Sequence, residues 1–219
     1  MPGIFETVRV REGRIPLLTG HLARLGASLW RLGQTGAPPG LEHRLRRFEA
    51  EGEKVLRVTI EGSDEWIEAR AVPEPEPMRL VTSSVRHARY EIKNVERDVF
   101  ERARAEAEAR GADEALLLTV DGYLAEGSIT SLFFWSDELL CAPDTGLGIL
   151  PGVGRERVLK LAREARFAVA HGRFVREALE GRSAFLTNAV RGVITIASLD
   201  GESVPADPRT EMLAERFWG

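Results

Sequence analysis

Asp121-Gly-Tyr-Leu-Ala-Glu-Gly-Ser128 is the stretch on which the reading of the fold turns. Asp-Gly suits the backbone of a two-residue hairpin turn. Strand-like runs flank it closely, Glu114 to Thr119 before the turn, then Tyr123 to Ile129 and Leu132 to Trp135 after it. Three such runs in quick succession predict antiparallel pairing. On either side the period changes from two to about 3.6. Upstream, a run beginning at Lys93 places Val95, Val99, Ala103 and Ala107 on one face and stops at Gly111, which predicts a helix of about four turns. Downstream, a Gly- and Pro-rich loop over Cys141–Leu150 leads to a second predicted helix, about Val153 to Ala165. A strand near Phe167 to Ala170, a short helix near Val175 to Glu180, the strand pair Ala184–Thr187 and Gly192–Ile196, and a helix over Pro208–Phe217 complete this half. Hairpins mixed with helices place the chain in the α/β class, of mixed α+β type.

The first half has the same mixture. Ile4 to Val10 reads as a strand, and the Glu12-Gly13 turn leads to a second over Ile15 to Leu18. Thr19 is a candidate N-cap for a helix to about Leu32, with Leu22, Leu25, Leu29 and Leu32 on its apolar face. A more basic helix covers roughly Leu41 to Ala50, and Val55–Ile60 and Trp66–Val72 form a hairpin. Pro73-Glu-Pro-Glu-Pro77 is a stiff extended connection before one more strand, Arg79 to Ser84. The expected organisation is a small N-terminal domain over residues 1–85, a connection over 86–92 and a larger domain over 93–219.

Composition removes several function classes. At 219 residues the chain can bury a sizeable core, and 43% apolar with 29% charged residues describes a soluble globular protein. A net charge of −4 provides no overall attraction to nucleic acid or to anionic membrane surfaces. The single Cys141 cannot form an internal disulfide, and no apolar run reaches about 18 residues. A cytoplasmic protein is expected. P-loop, GxGxxG and GxSxG motifs are absent, and His21, His43, His87 and His171 lack metal-ligand spacing, so no metal site is expected.

Lysine is scarce: of 30 basic residues only Lys54, Lys93 and Lys160 are lysine. An amine can form a Schiff base with an aldehyde and a guanidinium cannot. Lys160 lies four residues after Glu156 in a predicted helix, and Lys54 opens a strand. Lys93 lies at the boundary between the two halves, where it is either a solvated residue or a reactive one. Glu126 has mostly apolar or small neighbours, so it is either at an exposed edge or buried against a cation or hydrogen-bond donor. Leu150-Pro-Gly-Val-Gly-Arg155 runs into a helix whose first amides and dipole favour an anion. Thr187-Asn-Ala-Val-Arg-Gly192 could supply further donors, and Arg24 either solvates the first helix or reaches a phosphate.

The order and spacing of Phe5-Glu-Thr-Val-Arg9, His21-Leu-Ala-Arg-Leu25, Lys93, Gly111-Ala-Asp-Glu-Ala-Leu116, Asp121–Ser128, Gly148-Ile-Leu-Pro-Gly152 and Thr187–Gly192 resemble the class IV aminotransferase family. These are pyridoxal 5′-phosphate enzymes of fold type IV. The resemblance implies a two-domain fold like that of D-amino-acid aminotransferase, with the cofactor between the domains, and a homodimer. By it Lys93 would carry the cofactor, Glu126 would bind its pyridine nitrogen and Arg24 its phosphate. The amides of Val153, Gly154, Ala189 and Val190 would complete the phosphate cup. Family aminotransferases typically have Tyr five residues after the lysine, where this chain has Asp98. Lyases more often have Arg four residues after it, and Arg97 fits. The implied activity is that of a 4-amino-4-deoxychorismate lyase, which releases pyruvate and 4-aminobenzoate for folate biosynthesis. Thr7 would protonate the leaving group, and Asn188, Arg191 and Arg97 would meet the substrate. Transamination of D- or branched-chain amino acids is the alternative, and a non-catalytic relative of the family a further one. Ser131 and Gly154 depart from the Asn and Thr common at those places.

Overall fold

A computed structural model describes residues 2–34 and 36–219. They divide into two compact units. One runs to Glu74 and includes Ile92–Glu96; the other comprises Pro75–Glu91 and Arg97–Trp218.

The first unit contains β1 (Ile4–Val10), α1 (Leu18–Arg31), the short α2 (Leu41–Arg46), β2 (Lys54–Glu61) and β3 (Asp64–Arg70). The strands form an antiparallel sheet in the order β1-β2-β3. Alternation sends Ile4, Val8 and Val10 of β1 and Leu56, Val58 and Ile60 of β2 to one face, where they meet Leu18, Leu25 and Leu29 of α1. Each such leucine, fully buried, contributes about 1.5–3 kcal/mol. The expected strand over Ile15–Leu18 does not form. Arg11 and Arg14 exchange backbone hydrogen bonds around Glu12 and Gly13, both at positive φ, and Leu18 already begins α1. Thr19 is therefore inside the helix and is not its cap.

Lys93 does not begin a helix. The Phe5 amide donates to the Lys93 carbonyl and the Val95 amide to that of Gly3, so residues 93–95 lie along the edge of β1 in an extended bridge. Backbone groups engaged there cannot join a helical ladder.

The second unit contains β4 (Met78–Arg86), α3 (Asp98–Ala109), β5 (Glu114–Leu118), β6 (Leu124–Gly127), β7 (Ser131–Ser136), β8 (Leu139–Pro143), α4 (Val153–Glu164), β9 (Ala168–Gly172), β10 (Ala184–Asn188), β11 (Gly192–Leu199), β12 (Glu202–Ser203) and α5 (Pro208–Arg216). Strand β4, which the sequence reading joins to the first domain, pairs in parallel with β5 and β11 of this unit. The order is β10-β11-β4-β5-β6-β7-β8-β9, and β10 also pairs with β7, so six strands close into a ring. Met78, Leu80, Leu116, Leu124, Leu132, Phe134, Leu186 and Ile194 belong to one buried cluster within this sheet. Helix α3, the connection between the parallel β4 and β5, buries Phe100, Ala103 and Ala107 against Val81, Ala115 and Leu117. Among the described residues no helix is long and apolar enough to cross a membrane.

A buried carboxylate holds the β6–β7 connection. Glu114, with no exposed surface, accepts at Oε1 from the amides of Ala115 and Ser128 and from Ser128 Oγ, and at Oε2 from the Ile129 amide and Thr130 Oγ1. Gly127 is required beneath it, because a Cβ there would come within 2.1 Å of Thr130 Oγ1. Replacing the carboxylate by an apolar side chain orphans buried donors that each cost about 1–3 kcal/mol. Glu114→Leu is expected to lower unfolding free energy by about 3 kcal/mol or more, read from the urea midpoint at constant slope.

Candidate active site

In the first unit the chemistry-bearing side chains divide between the two faces of β1. Glu6 follows the parity of Ile4 and Val8 and points toward α1, where it is 3% exposed. Arg24 meets it with Nε to Oε1 at 2.7 Å and Nη2 to Oε2 at 2.6 Å. His21 Nδ1 lies 2.7 Å from Oε2. A carboxylate can only accept, so Nδ1 carries the hydrogen; Nε2 is buried without a hydrogen-bond partner among the described residues. Burial opposes the charge on Glu6, but attraction and hydrogen bonding from Arg24, with the His21 hydrogen bond, outweigh it and hold the carboxyl at about 2. Burial pushes His21 the other way, below the usual imidazole range and toward the neutral ring. The sequence reading noted His21 and Arg24 but passed over Glu6. Its signal is a carboxylate at a core-facing position of an otherwise apolar alternation.

The opposite face of β1 carries Phe5 and Thr7. Lys93 Nζ lies 4.5 Å from the Phe5 ring centroid, and the Arg57 guanidinium lies 3.9 Å from the same centroid. Thr7, half-buried, stands opposite Arg57 in the β1–β2 register. Lys93 and Arg57 thus gather around one aromatic ring, with Thr7 beside Arg57 in the register; nothing in the sequence alone singles out Arg57.

In the second unit Glu126 on β6 is buried, 4% exposed, so the edge reading of this residue does not hold. His87 Nε2 lies 2.9 Å from its Oε1, and the Leu150 amide donates to the same oxygen at 3.1 Å. Oε2 takes no hydrogen bond among the described residues. His87 looked like one of four scattered histidines, and nothing in its local sequence marks it.

Helix α4 begins after Gly152 with no side-chain cap, which leaves first-turn amides available to an anion. Gly154 lies close against the β10–β11 turn: a Cβ there would be 2.7 Å from the Asn188 carbonyl carbon and 3.0 Å from Thr187 Oγ1. Within that turn Asn188 Oδ1 accepts from the amides of Val190 and Arg191. The Val190 amide is therefore engaged inside the turn, whereas no side chain takes that of Ala189. Arg97 donates from Nη1 to Tyr90 Oη at 3.1 Å and from Nη2 to the Ser128 carbonyl at 2.5 Å, and lies over the Tyr90 and Phe100 rings. It clamps the segment that follows Glu126.

The family model for amino-transferase class IV matches residues 3–199. The chain belongs to that family. Among curated relatives, a branched-chain-amino-acid aminotransferase of Pseudomonas aeruginosa is 34% identical over 117 residues, 52% of this chain and 38% of that protein. The match to this relative therefore spans well under half of its length. Among solved structures, a 4-amino-4-deoxychorismate lyase from Pseudomonas aeruginosa superposes with a TM-score of 0.86 at 27% identity, covering 98% of this chain and 89% of that one. A putative branched-chain aminotransferase from Thermotoga maritima gives 0.89 at 24%, covering 99% and 84%. A hypothetical aminotransferase from Mycobacterium tuberculosis, in a PLP-bound form, gives 0.87 at 22%, covering 99% and 87%. These likenesses agree with the mixed α+β architecture described above. A side chain such as the Thr expected at this place from the resemblance would overlap the Asn188 backbone here.

Two outcomes follow from this geometry. In an open helix Gly→Ala stabilises by about 1 kcal/mol, but overlap with backbone reverses the sign. Gly154→Ala is expected to destabilise by about 1–3 kcal/mol in chemical denaturation. For Glu6 the folded value of about 2 lies below the ordinary 4.5, so its stabilisation is complete above pH 4.5 and is lost as pH falls through 2. Glu6→Gln should remove on the order of 3 kcal/mol of that pH-dependent loss, seen as a flatter plot of stability against pH in acid.

Proposed function

We propose that this protein is a pyridoxal 5′-phosphate-dependent 4-amino-4-deoxychorismate lyase that forms pyruvate and 4-aminobenzoate, acting as a cytosolic homodimer. The observation that carries the cofactor assignment is Glu126, whose two hydrogen bonds both fall on Oε1 while Oε2 takes none. A protonated ring nitrogen is a donor of the kind that a buried carboxylate oxygen lacks. The other residues fit the same group. In the second unit the uncapped first turn of α4, with Val153 and Gly154, and the amide of Ala189 offer N–H groups to a phosphate; Arg24, assigned to the phosphate by resemblance, is a cation of the first unit. Val190 contributes to that cup only if its amide leaves Asn188 Oδ1.

When bound, the cofactor supplies a ring that accepts electrons from the substrate's amine-bearing carbon. The chain does the rest. Lys93 Nζ would hold the cofactor and would take the proton from the substrate's amine-bearing carbon. Glu126 would accept the hydrogen of the ring nitrogen at Oε2. Glu6 and His21 fix the Arg24 guanidinium by its Nε edge. Thr7 Oγ1 delivers a proton to the departing enolpyruvyl group, and Arg57, Asn188 and Arg191 receive substrate carboxylates. Arg97, assigned to the substrate by resemblance, acts here through the Ser128 carbonyl.

The lyase reading draws support from the 27% identity with the Pseudomonas aeruginosa lyase, against 24% and 22% for the two aminotransferase structures above, which superpose equally well. Asp98, exposed in the first turn of α3, also provides no phenol where aminotransferases of the family have one. Transamination keeps support from the 34% identity with a branched-chain aminotransferase. The two readings separate in one assay. A lyase releases pyruvate from 4-amino-4-deoxychorismate without any keto acid, whereas turnover that requires a keto acid indicates transamination. Lys93→Ala should lower pyruvate release by about 10³-fold or more; release at the wild-type rate would overturn the assignment.

A further inference from the structure

The second unit holds a buried histidine, paired with Glu126, to which the proposed chemistry gives no role. His87 and Glu126 have side chains 1% and 6% exposed and approach to 2.9 Å. The His87 backbone is fixed by its amide, which donates to the Leu118 carbonyl at 2.8 Å, and the imidazole stands edge-on to Phe100 with centroids 5.6 Å apart. Nε2 therefore has a set direction. It shares Glu126 Oε1 with the Leu150 amide, a group that can only donate. An ionised carboxylate also has no hydrogen to give, so Nε2 must carry one.

We propose that His87 is a positioning residue that turns Glu126 toward the ring nitrogen of the cofactor and keeps it a charged acceptor. This rests on Glu126 being the partner of that nitrogen. With two donors on Oε1, the plane of the carboxylate is fixed and Oε2 is the oxygen left to accept a third hydrogen. Donation to Oε1 also withdraws electron density from the carboxylate and stabilises its charge, so the hydrogen shared between Oε2 and the ring nitrogen stays on the ring. A histidine that only filled space beside Phe100 would stabilise the fold but would not distinguish a ring nitrogen from a ring carbon.

That difference supplies the test. The protein is titrated with pyridoxal 5′-phosphate and with its 1-deaza analogue, which keeps the aldehyde and phosphate and replaces the ring nitrogen by carbon. The readout is the ratio of the two dissociation constants. Wild type is expected to prefer pyridoxal phosphate by about tenfold or more, the scale of a hydrogen bond to a charged group. His87→Leu should reduce this preference by about tenfold, while His87→Gln, whose amide N–H can reach the same oxygen, should stay within about threefold of wild type. His87→Asn, too short to reach, should behave like the leucine variant and replaces it if that protein fails to fold. An unchanged ratio in His87→Leu or His87→Asn, with both ligands weakened alike, overturns the positioning role and assigns His87 to packing. A wild-type protein that binds both ligands equally overturns the pairing of Glu126 with the ring nitrogen and this inference with it. Wild type that binds neither ligand overturns the cofactor assignment itself.

Discussion

A carboxylate withdrawn from water is tolerated only where donors replace the solvent it loses, and the arrangement of the second unit depends on how Glu114 meets that requirement. Its two oxygens collect the start of β5 and the whole turn between β6 and β7. The turn adds one backbone hydrogen bond of its own, from the Gly127 amide to the Thr130 carbonyl. With it fixed, Glu126 lies two residues from Ser128, and Gly127 brings the two strands close enough for the short β6–β7 pairing, Glu126 against Ser131. Arg97 then closes the same turn from the other side through the Ser128 carbonyl. The direction in which Glu126 points is thus inherited from a second buried carboxylate, Glu114.

The first unit meets the same requirement differently. Glu6 uses a guanidinium and an imidazole where Glu114 uses backbone amides and hydroxyls. Neutral donors hold a turn in place, but a charged partner also fixes the position of its own charge. Arg24 is held by the edge that carries Nε, and this sets the direction of its guanidinium. On the other side of β1, a single alternation away, Phe5 brings Lys93 and Arg57 together. One strand thereby separates a charge-balanced, buried cluster from a face where an amine and a second cation gather around an aromatic ring.

Much of this could be read along the chain. The alternation of Ile4–Val10, the leucine spacing of α1, the Asp121-Gly122 turn and the glycines before α4 each report a local backbone preference, and local preferences persist in the fold. The readings that failed did so where a distant segment competed for the backbone. Residues 93–95 have helical periodicity but pair with the edge of β1, so α3 starts only at Asp98. Arg79–Ser84 looks like a continuation of the first domain, yet its hydrogen bonds go to β5 and β11. Glu126 could be singled out, since a charge among apolar neighbours is visible in sequence. His87 could not, because its partner lies 39 positions away and its neighbours say nothing.

By itself, then, the sequence determined the mixed α+β class, the rarity of amines that makes Lys93 notable, and the order of motifs that places the chain in its family. These depend on residue type and spacing, which are properties of the linear chain. Tertiary structure alone decided that Glu126 offers one oxygen and not two, that Arg24 is held by Glu6, and that Gly154 is packed against Asn188 too closely for a side chain. Each of these is a distance between atoms from segments far apart in sequence. Such distances are fixed only when the sheets and helices have packed.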